Sequence, residues 1–242
     1  MKRFFCLTVF MALSLFAFAE NATFDNFSKN ITAENLKPFT KDLGGLLGGS
    51  AFTTGRILGW GGFQLSARAS LMPKPSEKNT ALGQDAKAMV MPWVQGEIGL
   101  PFRIDGFIRA SSWDGLTVAG GGLKWGITRP KEILYTFQPM LVVMAQSGVH
   151  KDFSLSHYSA DFVLSFKLPY VVPYIGGGVD HTKVRVEGAD TDASLVGKTE
   201  ATTTPRATAG VNIKLPAYMD LSMAANYANY GFGAEASLGV RF

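Results

Sequence analysis

Residues 231–242, GFGAEASLGVRF, decide the fold of this chain. Apolar side chains recur there at every second position: Phe232, Ala234, Ala236, Leu238, Val240 and Phe242. Between them lie Gly233, Glu235, Ser237, Gly239 and Arg241. Successive side chains of a β-strand point to opposite faces of the sheet, so this alternation predicts a strand with one apolar and one polar face.

Three other segments show the same alternation: residues 63–71, 158–168 and 206–215. In each, one set of side chains is apolar and the other carries charges and hydroxyl groups. The segments run to about ten residues, the length that a tilted strand needs to cross a bilayer. A soluble periplasmic sandwich or barrel also alternates in this way and is the alternative fold.

The pattern predicts an all-β, antiparallel transmembrane barrel of about ten strands, with eight or twelve as alternatives. The expected strands are 60–72, 89–100, 103–112, 116–128, 133–146, 153–168, 171–184, 203–215, 219–228 and 231–242. Connections after the even-numbered strands are short and contain a proline, whereas 73–88 and 185–202 are long and polar. Short turns at one end and longer loops at the other are typical of membrane barrels.

Composition and the first residues limit the function classes. Residues 1–19 have a basic start, an apolar run and a small-x-small site before Glu20, which predicts a cleaved signal peptide. The single cysteine, Cys6, excludes a disulfide framework, and the net charge of +4 does not favour a nucleic-acid binder. Apart from this leader, no apolar run reaches 18 residues, so membrane-spanning helices are not expected.

The end of the chain resembles the C-terminal assembly signal of Gram-negative outer-membrane β-barrel proteins. The residues that carry the resemblance are Phe242, Val240 and Leu238, with Ala236 before them. It implies an outer-membrane location, contact with lipid and recognition by the barrel-insertion machinery. No subfamily follows from it.

An N-terminal segment precedes the barrel. We expect residues 20–59 to form a periplasmic segment and residues 60–242 the barrel. A helix over about 33–47 is predicted from the spacing of Leu36, Phe39, Leu43, Leu46 and Leu47, with Thr32 as its N-cap. This helix either plugs the barrel, where Gly120, Gly122, Gly126, Gly176 and Gly178 would leave room, or lies on the periplasmic leaflet.

Charged residues fall on the polar faces of the strands. The expected lumen-lining residues are Arg68, Glu97, Arg109, Lys124, Asp161, Arg206 and Glu235, with Lys214 and Arg241 near the periplasmic rim. They form either a constriction that selects solutes or a set of mutually paired charges. Aromatic girdles at the strand ends are expected from Tyr135, Tyr158, Tyr170, Tyr227, Tyr230 and Trp93.

The leading functional hypothesis is a monomeric, narrow passive channel for small or apolar solutes, with the helix as plug or gate. The alternative is a structural or adhesin-like barrel that acts through its outer loops, above all 185–202. A minor alternative is an outer-membrane hydrolase that uses the cluster at His150, Asp152, Ser154, Ser156 and His157, or Asp180 with His181. We expect no catalytic residues, metal or cofactor.

Overall fold

The computed structural model describes residues 24–242 except 74, 84–87, 129–132 and 229–230. The predicted signal peptide therefore lies outside the described residues. Ten strands pair in chain order, and β1 pairs with β10 to close an antiparallel barrel. The strands are β1 (Phe63–Met72), β2 (Met89–Leu100), β3 (Ile104–Trp113), β4 (Leu116–Gly126), β5 (Phe137–Val149), β6 (Phe153–Phe166), β7 (Val171–Val186), β8 (Thr199–Lys214), β9 (Met219–Ala228) and β10 (Gly231–Arg241).

The predicted fold class is confirmed, and the strand bounds differ in a few places. β8 begins at Thr199 rather than 203, because Thr199 to Thr203 pair with His181 to Arg185 of β7. The 185–202 loop shortens accordingly to 187–198. β5 is displaced toward its C-terminus, over Phe137–Val149 instead of 133–146.

The two ends of the barrel differ in their connections. We call the end that holds Phe63 and Phe242 the turn end, and the opposite end, with connections 73–88, 150–152 and 187–198, the loop end. The contrast in length is weaker than expected, since the 127–136 connection at the turn end is ten residues long and 114–115 at the loop end has two. The proline of the short connection expected after the fourth strand, Pro130, lies outside the described residues.

The wall has the polarity that the alternation predicts. Large apolar side chains such as Val94, Ile98, Ile108, Leu123 and Val143 are exposed on its outer face. Many charged and amide side chains, among them Arg68, Glu97 and Arg206, face inward and are buried. This is the polarity of a transmembrane barrel, because lipid solvates the outer face and the closed sheet leaves no unpaired strand edge. Among the described residues, none of the helices has the length and apolar character required to cross a bilayer.

The N-terminal segment lies inside the barrel. It forms helix α1 (Phe27–Asn30), helix α2 (Leu36–Gly48) and an irregular stretch up to β1. Before α2, the Thr32 hydroxyl accepts a hydrogen bond from the backbone amide of Asn35. The side-chain oxygen of Asn35 accepts one from the backbone amide of Thr32. This reciprocal pair closes the turn that precedes the helix. The N-cap is therefore Asn35 rather than the predicted Thr32, because the chain turns over residues 32–35 before the helix begins at Leu36.

The helix packs in the loop-end half of the lumen. Its apolar face joins Met89 and Met91 of β2, Leu116 and Val118 of β4, and Phe153 of β6 in one buried cluster, the loop-end cluster. The structure therefore differs from the separate periplasmic segment that we expected for residues 20–59. The apolar helix face fits either a leaflet or an apolar lumen, and here the inward side chains of the wall are themselves apolar at the loop end.

Candidate functional site: the lumen and its plug

The lumen residues expected from the sequence all point inward. Each is at most 7% exposed: Arg68, Glu97, Arg109, Lys124, Asp161, Arg206 and Glu235. They do not form an open charged ring. Most of them are held in two ion-pair clusters on different parts of the wall.

Glu97 is the centre of the first cluster. Its carboxylate pairs with Arg68, accepts a hydrogen bond from Lys124 Nζ at 2.7 Å and accepts another from Gln95 Nε2 at 2.7 Å. One carboxylate thus balances two cations in a buried site. Removing water from such charges is costly unless they are paired, so this arrangement favours mutual neutralisation over solute selection.

Arg206 is the centre of the second cluster. Its guanidinium donates to Asp161 at 2.9 Å and, through Nε, to Asp180 at 2.9 Å. The guanidinium carbon also lies 6.0 Å from the ring centroid of Phe52, which belongs to the plug. Asp180 was expected near an outer loop as part of the minor hydrolase alternative; it lies within β7, which continues to Val186, and its side chain faces the lumen.

Glu235 and the rim residues lie elsewhere. Glu235 accepts a hydrogen bond from Asn226 Nδ2 at 2.7 Å and lies near Gly49 of the plug. Lys214 and Arg241, expected near the rim, line a cavity at the turn end.

Residues 24–58 form the plug. The plug-helix residues Leu36, Phe39, Leu43, Leu46 and Leu47 are all buried in the loop-end cluster. The ring of Phe27, from α1, lies 4.8 Å from that of Phe153, and the ring of Phe39, from α2, lies 5.3 Å from it. The plug therefore contributes a large part of the apolar core of the molecule.

Wall side chains satisfy the carbonyl groups at the C-terminal end of α2. Arg109 Nη1 donates to Gly49 O at 3.1 Å and Arg68 Nη1 to Ser50 O at 2.9 Å. Gln146 Nε2 donates to Leu47 O at 2.9 Å. The last carbonyls of a helix lack partners within the helix and carry partial negative charge, so cations and amides placed there stabilise the docked segment.

Glycines of the helix allow the plug to approach the wall closely. A side chain at Gly44 would collide with Thr182, and one at Gly48 would collide with the carboxylate of Asp180. With Thr182 and Asp180 in place, glycine at these positions lets α2 lie directly on β7. From the sequence we expected glycines of the wall to have this role instead.

The wall glycines receive a different part of the chain. Gly176 faces the ring of Phe52 and Gly126 faces Ile57, both in the irregular stretch after α2. Gly120 and Gly122 are covered by Gln146 and Phe107 of neighbouring strands, and Gly178 by Asp161. The predicted space is real, but it accommodates the extended part of the plug and the barrel's own side chains.

Trp93 is not part of an aromatic girdle. It is 1% exposed and faces the lumen, where the guanidinium carbon of Arg109 lies 3.6 Å from its ring centroid. Tyr135, Tyr158, Tyr170 and Tyr227 are exposed on the outside as expected, whereas Tyr230 lies outside the described residues. Neighbouring residues of a strand point to opposite faces, and in β2 Val94 takes the outer face, so Trp93 points inward.

The residues of the hydrolase hypothesis are dispersed. His157 Nδ1 contacts Thr182 Oγ1 at 2.9 Å inside the lumen, while Ser154 donates to Glu187 at the loop end. Asp180 and His181 point to opposite faces of β7. Within the described part of the chain, no three His, Cys, Asp or Glu side chains gather in a way that could hold a metal ion.

No protein-family model matches the sequence, and no curated protein matches it. Solved structures do resemble it. The outer membrane protein OprG from Pseudomonas aeruginosa is 11% identical and has a TM-score of 0.38, with 78% of this chain and 99% of that chain covered. Ail, the attachment invasion locus protein of Yersinia pestis, was solved with the heparin analogue sucrose octasulfate. It is 12% identical over 76% of this chain and 99% of that chain, with a TM-score of 0.36.

LpxR from Salmonella typhimurium is 8% identical, over 73% of this chain and 99% of that chain, with a TM-score of 0.36. Likenesses at this level concern the barrel fold and assign no activity. The predicted resemblance to small outer-membrane barrels is confirmed for the fold, which stands on the closed pairing of this chain's own ten strands.

Proposed function

We propose that this protein is a plugged barrel of the bacterial outer membrane that lets small solutes pass only when residues 24–58 move. The carrying observation is the set of hydrogen bonds from Arg68, Arg109 and Gln146 to plug carbonyls, which holds this segment inside the wall. The loop-end cluster closes the same lumen with apolar side chains. The proposal includes no catalytic step.

Placement in the outer membrane is supported by the outer face of the wall. Apolar side chains cover strands all around the barrel, and a soluble protein rarely exposes so much contiguous apolar surface. The turn end, which holds the exposed ring of Phe242, would face the periplasm, and the loop end would face the exterior.

Pairing of the lumen charges supports a closed resting state. Ten strands enclose a lumen only moderately wider than that of eight-stranded barrels, whose interior side chains fill it. Here the ion-pair clusters and the plug occupy that space together. Passage of a solute therefore requires the plug to leave the wall or to rearrange within it.

A reversible cross-link tests this gate. A Cβ atom built at Gly44 lies 3.2 Å from Cβ of Thr182, close to the separation in a disulfide. In a planar bilayer, Gly44→Cys/Thr182→Cys should remain closed when oxidised and show small conductance steps when reduced. Deletion of residues 24–58 should give steps that no oxidant removes.

A matched control places the cross-link in the wall alone. Ala67 and Val94 are register partners on β1 and β2, so Ala67→Cys/Val94→Cys joins two strands without touching the plug. Its conductance should not respond to oxidation. If the reduced plug variant and the deletion both stay silent while folded, the channel proposal fails.

A second function, surface interaction, is favoured by the construction of the loop end. The Asp190 amide donates to Ser28 O at 2.8 Å, and Ser28 Oγ donates to the Asp190 carboxylate at 2.9 Å. The N-terminal segment and the 187–198 connection thus form one joined surface. Replacing 188–197 by a short linker should abolish attachment to a neighbouring cell surface without changing conductance if this function is the main one.

A further inference from the structure

A cavity of about 260 Å³ lies at the turn end of the lumen, on the opposite side of the plug from the loop-end cluster. Thr54 and Arg56 of the plug form one side of it. The other side comes from the ends of strands β5 to β10. The cavity therefore lies between the plug and the wall.

The charges around this cavity are mostly positive. Among the described residues, Arg56 from the plug and Lys167, Lys214 and Arg241 from the wall line it, together with one carboxylate, that of Asp220. Asp220 accepts hydrogen bonds from Gln64 at 2.7 Å and from Asn212 at 3.0 Å. Low-dielectric walls lined by one sign of charge concentrate the opposite sign, so the cavity attracts anions.

The geometry offers specific donors besides the net charge. Arg241 Nε is buried and has no hydrogen-bond partner among the described residues. A planar guanidinium can bind a carboxylate or a phosphate through two parallel hydrogen bonds. Val172, Leu215 and Met219 also line the cavity, so the part of a ligand beyond its anionic group would meet an apolar surface.

We propose that this cavity binds a small organic anion, with a carboxylate or phosphate group between Arg56 and the wall cations and a short apolar substituent against Val172 and Met219. Because Arg56 belongs to the plug and Arg241 to β10, a bound anion links the two. Binding therefore stabilises the plugged state.

Binding is measured on the intact protein refolded in zwitterionic detergent, by calorimetric titration with phenyl phosphate and with hexanoate. Arg241→Gln and Lys167→Gln should each weaken binding about tenfold, the size expected for one charge-assisted hydrogen bond. Lys183→Gln removes the same charge from the loop-end half of the outer face and is the matched control. Its affinity should equal that of the unmodified protein.

Arg56→Gln tests the contribution of the plug to anion binding separately from that of the wall. It leaves the strand pairing untouched, since residue 56 lies outside the strands. The anion should raise the melting temperature of the unmodified protein, and this increase should disappear in Arg56→Gln. These readouts need no conductance, so the anion site and the gate can fail independently.

The anionic group could come from a free solute or from a lipid headgroup, and the two sources are distinguished in nanodiscs. Binding of the soluble probes in phosphatidylcholine discs supports a free solute. If phosphatidylglycerol in the discs reduces binding of the soluble probes to the unmodified protein but not to Arg241→Gln, the result supports a headgroup. Absence of binding in both settings, or binding that is unchanged in Arg241→Gln and Lys167→Gln, overturns the proposal.

Discussion

The guanidinium carbon of Arg109 lies 3.6 Å from the ring centroid of Trp93, and its Nη1 donates to the carbonyl of Gly49 at 3.1 Å. Both Arg109 and Trp93 belong to the wall, whereas Gly49 is the plug residue that directly follows α2. Stacking holds the guanidinium plane in one orientation and contributes about 0.5–2 kcal/mol. Arg109 thereby couples the wall to the plug through one side chain.

Arg109→Lys should loosen the plug while the lumen charge stays the same. A lysine ammonium neither stacks flat on Trp93 nor presents a fixed fork to a carbonyl. We expect hydrogen exchange of the residue 48–58 amides, measured by mass spectrometry, to accelerate by about tenfold, the effect of losing one charged hydrogen bond. Arg103→Lys is the control, since Arg103 contacts Ile127 O at the turn end. Equal exchange in the two variants would contradict the role of Arg109.

Glu97→Gln should destabilise the barrel more than most single substitutions. It leaves Arg68 and Lys124 buried with no carboxylate between them, a situation that typically costs about 3–5 kcal/mol. Urea unfolding in lipid vesicles measures this loss. The double variant Glu97→Gln/Lys124→Met should recover part of the stability, because one uncompensated charge is gone. A loss below about 1 kcal/mol would indicate that water screens the cluster.

Leu43→Ala tests whether the plug is part of the folded core. Leu43 is fully buried in the loop-end cluster, so its truncation should cost about 2–5 kcal/mol of unfolding free energy. Val196→Ala, at an exposed position of the 187–198 connection, should change stability by less than about 0.5 kcal/mol. If the two variants unfold at the same urea concentration, the plug does not contribute to the stability of the barrel.

The strands were predictable because one physical requirement determines them. A wall between lipid and a polar interior forces side chains to alternate, and that alternation is visible at Phe232 to Phe242 without any structure. The ends of strands were less predictable. Residues 199–202 are polar enough for a loop, yet Thr202 and Thr204 face the lumen of a continuing strand. β7 likewise continues to Val186, beyond the end expected at 184.

The path of the N-terminal segment could not be derived from the sequence. The apolar face of Leu36 to Leu47 is equally suited to a lipid leaflet and to an apolar lumen, and local periodicity does not distinguish them. The deciding partners, Met91 and Phe153, are far away in sequence. Trp93 was misassigned because a tryptophan near a strand end is typical of a girdle, while its stacking on Arg109 depends on which face of β2 it takes.

His150 gives the loop end a defined pH dependence. It is 6% exposed in the 150–152 connection, with its ring centroid 4.7 Å from that of Phe153. Burial lowers the pKa of His150 below its ordinary 6.5, an effect that Asp152, Asp114 and Asp25 partly oppose. The unfolded chain therefore binds this proton more readily, and the folded state loses stability as the pH falls below about 6.5.

We expect the melting temperature to fall between pH 7.5 and pH 5.5, and His150→Gln should reduce that fall. Other groups of the protein titrate in the same way in both proteins, so the difference between them isolates His150. A larger fall in His150→Gln than in the unmodified protein would reverse the assigned sign.

Substitution of Phe242 distinguishes effects on the stability of the barrel from effects on its assembly in cells. Its amide donates to Phe63 O at 2.8 Å and its carbonyl accepts from the Phe63 amide at 3.2 Å, so the backbone closes the barrel whatever the side chain. The ring itself is 75% exposed. Phe242→Ala should therefore change unfolding in detergent by less than about 1 kcal/mol. In cells, however, we expect several-fold less folded barrel, measured as the heat-modifiable band of the outer-membrane fraction, because the insertion machinery would read this ring.

Phe232→Ala is the matched control for Phe242, since Phe232 is 70% exposed on the same face of β10 at the loop end. It removes an equal lipid-facing ring and should leave the cellular yield unchanged. If the two variants lose equal yield in cells, the ring at Phe242 acts through lipid contact alone. If Phe242→Ala instead unfolds in detergent, the terminal ring is structural, and a loss of yield in cells no longer supports the assembly role expected of Phe242.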